Sequence, residues 1–188
     1  MEGVRYNEPQ MKVMGLETQR SSVPLICRDN MKAALRLIFE KDEKALMDFV
    51  ANFRSKFTSL SFEDVAFPRG VKGLDKYKND VTIYNKGTPI HVRGALVFNN
   101  MLKEHDIEQQ YNPIYEGDKI KFCYLRLPNP ARENVLAISS ALPKQFNIAQ
   151  YIDYEKQFQK SFLEPMKNIA ETIQWKLERG QATLEDFF

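Results

Sequence analysis

The chain has 188 residues, with 27 Lys and Arg against 25 Asp and Glu for a net charge of +2, and is 43% hydrophobic and 12% aromatic. That length suits one domain with a sizeable core, the thirteen Phe and eight Tyr exclude a disordered polar chain, and the near-balanced charge alone favours no polyanionic partner. No apolar run approaches the ~20 residues that span a bilayer, Met1 to Arg5 carry no signal-peptide pattern, and Cys27 and Cys123 are too few for a disulfide framework, so a soluble intracellular protein is expected.

Met11 to Glu17 alternates apolar and polar residues weakly and predicts a short strand broken by Gly15. Ser21-Ser22 before Val23-Pro24 predicts a serine-capped helix with proline in its first turn, and Cys27, Met31, Ala34, Leu35 and Ile38 form its apolar stripe. Asp42 can cap a second helix striped by Leu46, Phe49, Val50, Phe53 and Phe57, and the two should pack as a pair. From Ser61 to Asn99 the chain is rich in loops, with weak strands at Val65 to Phe67 and Val81 to Tyr84, before Ala95 to Phe98 continue as a helix towards Glu104. Glu116-Gly117-Asp118 reads as a turn into a strand whose Ile120, Phe122 and Tyr124 share one face, and Asn134 to Ser139 should return beside it after the Pro128-Asn129-Pro130 turn. Asp153 can cap a helix with Tyr154, Phe158 and Phe162 inward, Pro165 ends or kinks it, and Met166, Ile169, Ile173 and Leu177 predict a last helix running to Gly180. This order of elements indicates an α+β fold.

Charge is uneven along the chain. Between Ala66 and Arg93 six basic residues (Arg69, Lys72, Lys76, Lys78, Lys86, Arg93) meet two acids, whereas from Asp153 onward five basic residues face seven acids. In the basic segment Lys and Arg could neutralise phosphates while backbone amides at Gly70, Gly73 and Gly94 approach closely; a solvated lysine-rich loop would have the same composition. Catalytic constellations are missing. His91 and His105 lack zinc-site spacing, no phosphate loop or nucleophile elbow is present, and Glu63-Asp64 and Glu185-Asp186 are adjacent pairs that suit solvated surface better than a two-metal clamp.

At the C-terminal end, Leu184, Phe187 and Phe188 fall at i, i+3 and i+4 with Gln181 one turn earlier, while Glu185 and Asp186 face away. Gln-x-x-Leu-x-x-Phe-Phe resembles the peptide that replication proteins insert into a sliding clamp; folding back onto the chain's own core is the alternative. Lys12 to Pro24 resembles the segment joining palm to thumb in family-B DNA polymerases, most closely those of tailed phages. His91-Val92-Arg93-Gly94, Gly117-Asp118-Lys119-Ile120 and Phe158 to Pro165 follow in the order of those thumbs, with the clamp-like peptide last.

The resemblance implies a helical thumb with a small β-rich subdomain over residues 23–180, preceded by a palm-derived strand within 1–22 and followed by a clamp-binding tail over 181–188. It implies that Lys12 and Arg20 lie near the primer strand at the palm junction, and that His91, Arg93, Lys119 and Lys160 face the primer-template duplex, beside Arg69 and Lys72 of the basic segment. A further basic position expected after Lys160 is occupied by Glu164. The family's Asp-Thr-Asp motif, second palm carboxylate, nucleotide-binding helix and exonuclease acids are absent from this sequence. The chain is therefore expected to be inactive alone, without a cofactor of its own, and to depend on a palm, fingers and exonuclease portion that holds magnesium in the cytoplasm of an infected bacterial host. The competing expectations are a free-standing clamp-bound adapter with little DNA contact and a small metal-dependent nuclease.

Overall fold

The computed structural model describes Lys12 and residues 17–179. The clamp-like peptide at Gln181, Leu184, Phe187 and Phe188 lies outside the described residues, as does the strand predicted over Met11 to Glu17, apart from Lys12, which is exposed, and the backbone of Glu17, which opens a 3-10 turn, Glu17–Gln19. The described chain is a mixed α+β fold with several helices and two small antiparallel sheets.

Helix α1 (Leu25–Glu40) buries Cys27, Met31, Ala34 and Leu35, and α2 (Glu43–Phe57) buries Leu46, Val50, Phe53 and Phe57, so both stripes pack inward as their spacing predicts. Asp42 caps α2 by accepting from the Ala45 N–H at 2.8 Å. The serine cap predicted for α1 does not form. Pro24, extended at φ −53° and ψ 140°, takes the cap position itself with no side-chain acceptor, so the helix starts one residue later than the proline rather than on it.

After the short helix α3 (Phe62–Val65) comes strand β1 (Phe67–Gly70), so Val65 and Ala66 do not belong to the predicted strand: the Ser61 side chain caps α3 and draws Val65 into its single turn. Helix α4 (Leu74–Tyr77) then leads into a hairpin of β2 (Lys78–Asn79) and β3 (Ile83–Tyr84). The strand predicted from Val81 is shortened because Asn79 Oδ1 accepts from both the Val81 and Thr82 N–H groups, which bends them into the turn. Helix α5 (Ile90–Glu104) precedes β4 (Lys119–Tyr124) and β5 (Val135–Ile138), and the main sheet has the antiparallel order β1-β4-β5. Pro68 lies in β1, an edge strand, where its missing N–H breaks no inner ladder.

One face of the sheet carries α5. Gly94 is buried there, and a Cβ built on it would stand 2.9 Å from the Ala137 backbone nitrogen and 3.2 Å from the Leu136 carbonyl carbon, so only hydrogen allows the helix to lie this close to β5. The opposite face carries α3, where the Cys123 thiol meets the Phe62 carbonyl at 3.6 Å.

A helical layer closes the structure. Asp153 caps α6 (Tyr154–Phe158) by accepting from the Lys156 N–H at 3.0 Å, and a single π turn (Gln159–Leu163) joins it to α7 (Glu164–Thr172). Pro165 follows that wide turn, which reroutes the backbone hydrogen bonds just before a residue that has no N–H to give. Phe158 and Phe162 interlock with Phe53 and Phe57 of α2 at centroid distances of 4.9 to 5.4 Å. The last helix ends at Thr172, not near Gly180. Gln174 adopts φ 59°, and the Trp175 N–H reaches back to the Ala170 carbonyl while the Gln174 N–H reaches Glu171, a Schellman closure with glutamine in the position glycine usually takes. Ile173 is consequently half exposed, and Leu177 is buried outside any helix.

The close approach at Gly94 is testable. Gly94→Ala should lower unfolding stability by about 1 to 3 kcal/mol in urea titrations, because the backbone clash outweighs alanine's intrinsic helical advantage of about 1 kcal/mol.

Candidate nucleic-acid interface

Residues paired across an antiparallel ladder project from the same face. Phe67 pairs with Phe122, Arg69 with Ile120, and Phe122 in turn with Ala137, so these side chains share the face on which α5 lies. Aromatic rings make a floor there: Phe122 lies 5.3 Å from Phe67 and 6.0 Å from Tyr124, centroid to centroid. Phe67 and Phe122 are themselves buried, and cationic groups cover them.

The Arg69 guanidinium sits 5.7 Å from the Phe67 ring and 5.9 Å from Phe122, and it donates to the Ser22 carbonyl at 2.5 Å and the Pro68 carbonyl at 2.8 Å. His91, from the first turn of α5, lies 6.4 Å from Phe122. Burial and then the neighbouring Arg69 charge hold its pKa below the ordinary histidine value. The Lys156 ammonium lies 4.7 Å over Tyr124. One turn further, exposed Lys160 pairs with Glu164 at 2.8 Å, and that hydrogen bond, reinforced by the Glu164 charge, raises the lysine's pKa. The acid at the position where a further base was expected thus partly neutralises Lys160.

The structure brings together Arg69, His91 and Lys160 of the predicted residues, and adds Lys156 and Tyr124. The signal for Lys156 was its spacing of four from Lys160 in a helix whose cap was already legible. Lys119 stands elsewhere. It pairs with Gly70, so it projects from the opposite face beside Lys121, whose ammonium donates to the Glu63 carbonyl at 2.9 Å. Arg93, two residues beyond His91 on α5, turns to the hairpin: it donates to Asn134 Oδ1 at 2.6 Å and lies 5.6 Å over Tyr84, whose hydroxyl donates to Glu133 at 2.6 Å. Lys72 is exposed beside Glu116, whose carboxyl is held below its ordinary range by the Gly73 and Leu74 N–H groups. Lys12 and Arg20 are exposed.

Two of the three glycines read as phosphate-approaching are committed inside the fold: the Gly94 backbone is packed under β5 and the Gly73 N–H is taken by Glu116, which leaves Gly70 exposed on β1. Both cysteines are buried. The Cys27 thiol donates to Ser161 Oγ at 3.3 Å, and burial pushes its pKa up to about 12 against the opposing pull of that bond, while Cys123 is raised well above the ordinary value by burial and the nearby Glu63 charge.

A surface built this way can meet phosphate oxygens through its guanidinium and ammonium donors, and such contacts carry no base-sequence information. Stacking of unpaired bases needs open ring faces, and the floor rings are covered, so the chemistry suits a duplex backbone better than a single strand.

Known proteins carry matching sequence. No family model matches the chain. The DNA-directed DNA polymerase of Enterobacteria phage T4 is 29% identical over 192 residues, and that of Escherichia phage RB69 is 30% identical over 194 residues, each alignment covering 100% of this chain. The chain is homologous to phage family-B DNA polymerases. It spans 21% of the length of these relatives. Among the described residues no group of three or more His, Cys, Asp or Glu is placed to hold a metal ion. No helix among the described residues is long and apolar enough to cross a membrane.

The His91 environment gives a direct test. Titrated by NMR, His91 should protonate below the ordinary value near 6.5, and Arg69→Met should raise its midpoint, since one repulsive charge and part of the cover are removed together. At pH 7 the ring is thus neutral, and whatever stability its burial contributes is lost as pH falls through the unfolded value towards the lower folded one.

Proposed function

We propose that this chain is the thumb portion of a DNA-directed DNA polymerase, that it grips the backbone of the primer-template duplex, and that Gln181, Leu184, Phe187 and Phe188 tether the polymerase to a sliding clamp. The observation that carries this reading is the end-to-end similarity of the chain to one fifth of two phage polymerases. The cationic strip over buried rings supports it. Arg69, Lys156 and Lys160 supply charge to the grip and His91 supplies a neutral ring donor, while Lys12, Arg20, Lys72, Arg93 and Lys119 act at its margins or brace it. Phosphoryl transfer belongs to the palm, fingers and exonuclease portion with its magnesium ions, and the thumb contributes processivity by holding the product.

Primer-template binding by fluorescence anisotropy across a salt series tests the grip. Affinity should fall steeply with salt and be insensitive to sequence, and Lys156→Ala and Lys160→Ala should each reduce the salt slope by about one while weakening all duplexes alike. Absence of salt-sensitive binding would leave a clamp-bound adapter as the better description.

The tether has its own arithmetic. Burying three large apolar side chains yields a gross ~5 to 9 kcal/mol, and ordering eight residues at ~1 to 2 kcal/mol each offsets much or all of it, so the peptide alone should bind at micromolar strength or weaker. Duplex held by the same protein makes that sufficient by raising the effective clamp concentration. Phe187→Ala combined with Phe188→Ala should abolish clamp binding measured by calorimetry; unchanged affinity would return these residues to the core-packing alternative.

A further inference from the structure

Beyond the end of α7 the chain does not leave the domain directly. Residues 173–179 run along α2 and are fastened to it at three places: Glu43 accepts the Lys176 N–H at 2.5 Å, Asp48 pairs with Arg179 at 2.5 Å, and Arg54 pairs with Glu178. Between these polar contacts Leu177 is buried and Trp175 packs against the core. The fastening uses the whole length of α2, from its first residue to its last turn. Arg54 has a second attachment. Its other guanidinium nitrogen meets Glu155 at 2.5 Å and its guanidinium carbon lies 5.1 Å from the centroid of the Phe158 ring, so it also grips α6, the helix that carries Lys156.

We propose that residues 173–179 are a positioning strap, which sets where the segment beginning at Gln181 departs and holds that point at a fixed distance from the cationic strip, with Arg54 the residue common to both. This rests on the clamp-tethered thumb reading. With the strap fastened, Gly180 alone separates the pinned Arg179 from Gln181; with it released back to Thr172, eight residues (173–180) intervene. Lengthening a tether lowers effective concentration with roughly the three-halves power of its length, so release should weaken joint engagement of duplex and clamp roughly twentyfold. Each fastening is an exposed contact and individually weak, so the strap depends on several acting together with the Leu177 anchor.

The test uses the full chain carrying Glu43→Ala, Asp48→Ala and Glu178→Ala, which leave the strip, Arg54 and the clamp peptide intact. Trp175 is the chain's single tryptophan, so its emission reports the strap directly, and release should shift it to the red. If the triple variant keeps the native emission, Leu177→Ser is added to remove the apolar anchor. Three affinities are then measured: for primer-template duplex, for the sliding clamp from the same source, and for that clamp loaded on the duplex. Loss of roughly twentyfold on loaded clamp, with the two separate affinities unchanged, supports the strap. Unchanged affinity on loaded clamp with red-shifted Trp175 overturns it while leaving the thumb reading intact. Failure of the unaltered chain to bind clamp or duplex overturns both.

Discussion

Gln157 reaches from α6 into the sheet and is fully buried. Its carbonyl accepts from the Tyr124 N–H at 3.1 Å, and its amide nitrogen donates to the Val65 carbonyl at 2.7 Å and lies 3.5 Å from that of Phe122. Strand β1 stops pairing with β4 at Phe122, so without this side chain the next backbone groups of β4 would be buried with no ladder partner. The Asp153 N–H completes the substitution by donating to the Tyr124 carbonyl at 3.0 Å. A polar residue in the core is tolerable here because each of its groups is met, and leaving any one unmet costs about 1 to 3 kcal/mol. The helical layer therefore has one seating on the sheet, and that seating is what places Lys156 over Tyr124 and Lys160 beyond it.

The strip follows from this constraint together with the glycine contact on the other side. Gly94 lowers α5 onto β5, which brings His91 to Phe122, and Gln157 brings α6 to Tyr124 from the far end. Arg69 sits over two rings and is tied to two carbonyls, and Lys156 rests on a third ring. Long cationic side chains lose considerable freedom when they meet a phosphate, and contacts that already restrict them reduce what remains to be lost. The rings thus serve the charges that cover them as supports, and their own burial is a by-product of the same arrangement.

Much of the fold was legible because it rests on local rules. The stripes of α1 and α2, the Asp42 and Asp153 caps, and the alternation of Ile120, Phe122 and Tyr124 all depend on residues within a few positions of one another. What was hidden depended on distant partners or on unmarked backbone. Nothing in a glutamine announces a left-handed conformation, so the sequence points to Gly180 as the helix end although the chain turns at Gln174, just past Thr172. Likewise Lys119 and Arg69 are both basic and both near glycine, yet a register of Arg69 with Ile120 and Lys119 with Gly70 sets them on opposite faces. Arg93 looked equivalent to His91 until two residues of helical rotation turned it towards Tyr84. Charge composition identified the segment, and only pairing register and helix rotation distinguished strip from brace.

The depth of the two thiols has a practical corollary. Both thiols are buried, and that burial disfavours the reactive thiolate at neutral pH. Native cysteines are therefore a silent background for thiol-directed probes. A single cysteine introduced at a solvent-facing position such as Phe39, which is 76% exposed, can take a fluorophore or spin label in the otherwise unaltered chain, so distances between the domain and its ligands can be followed without first removing either natural thiol from the core.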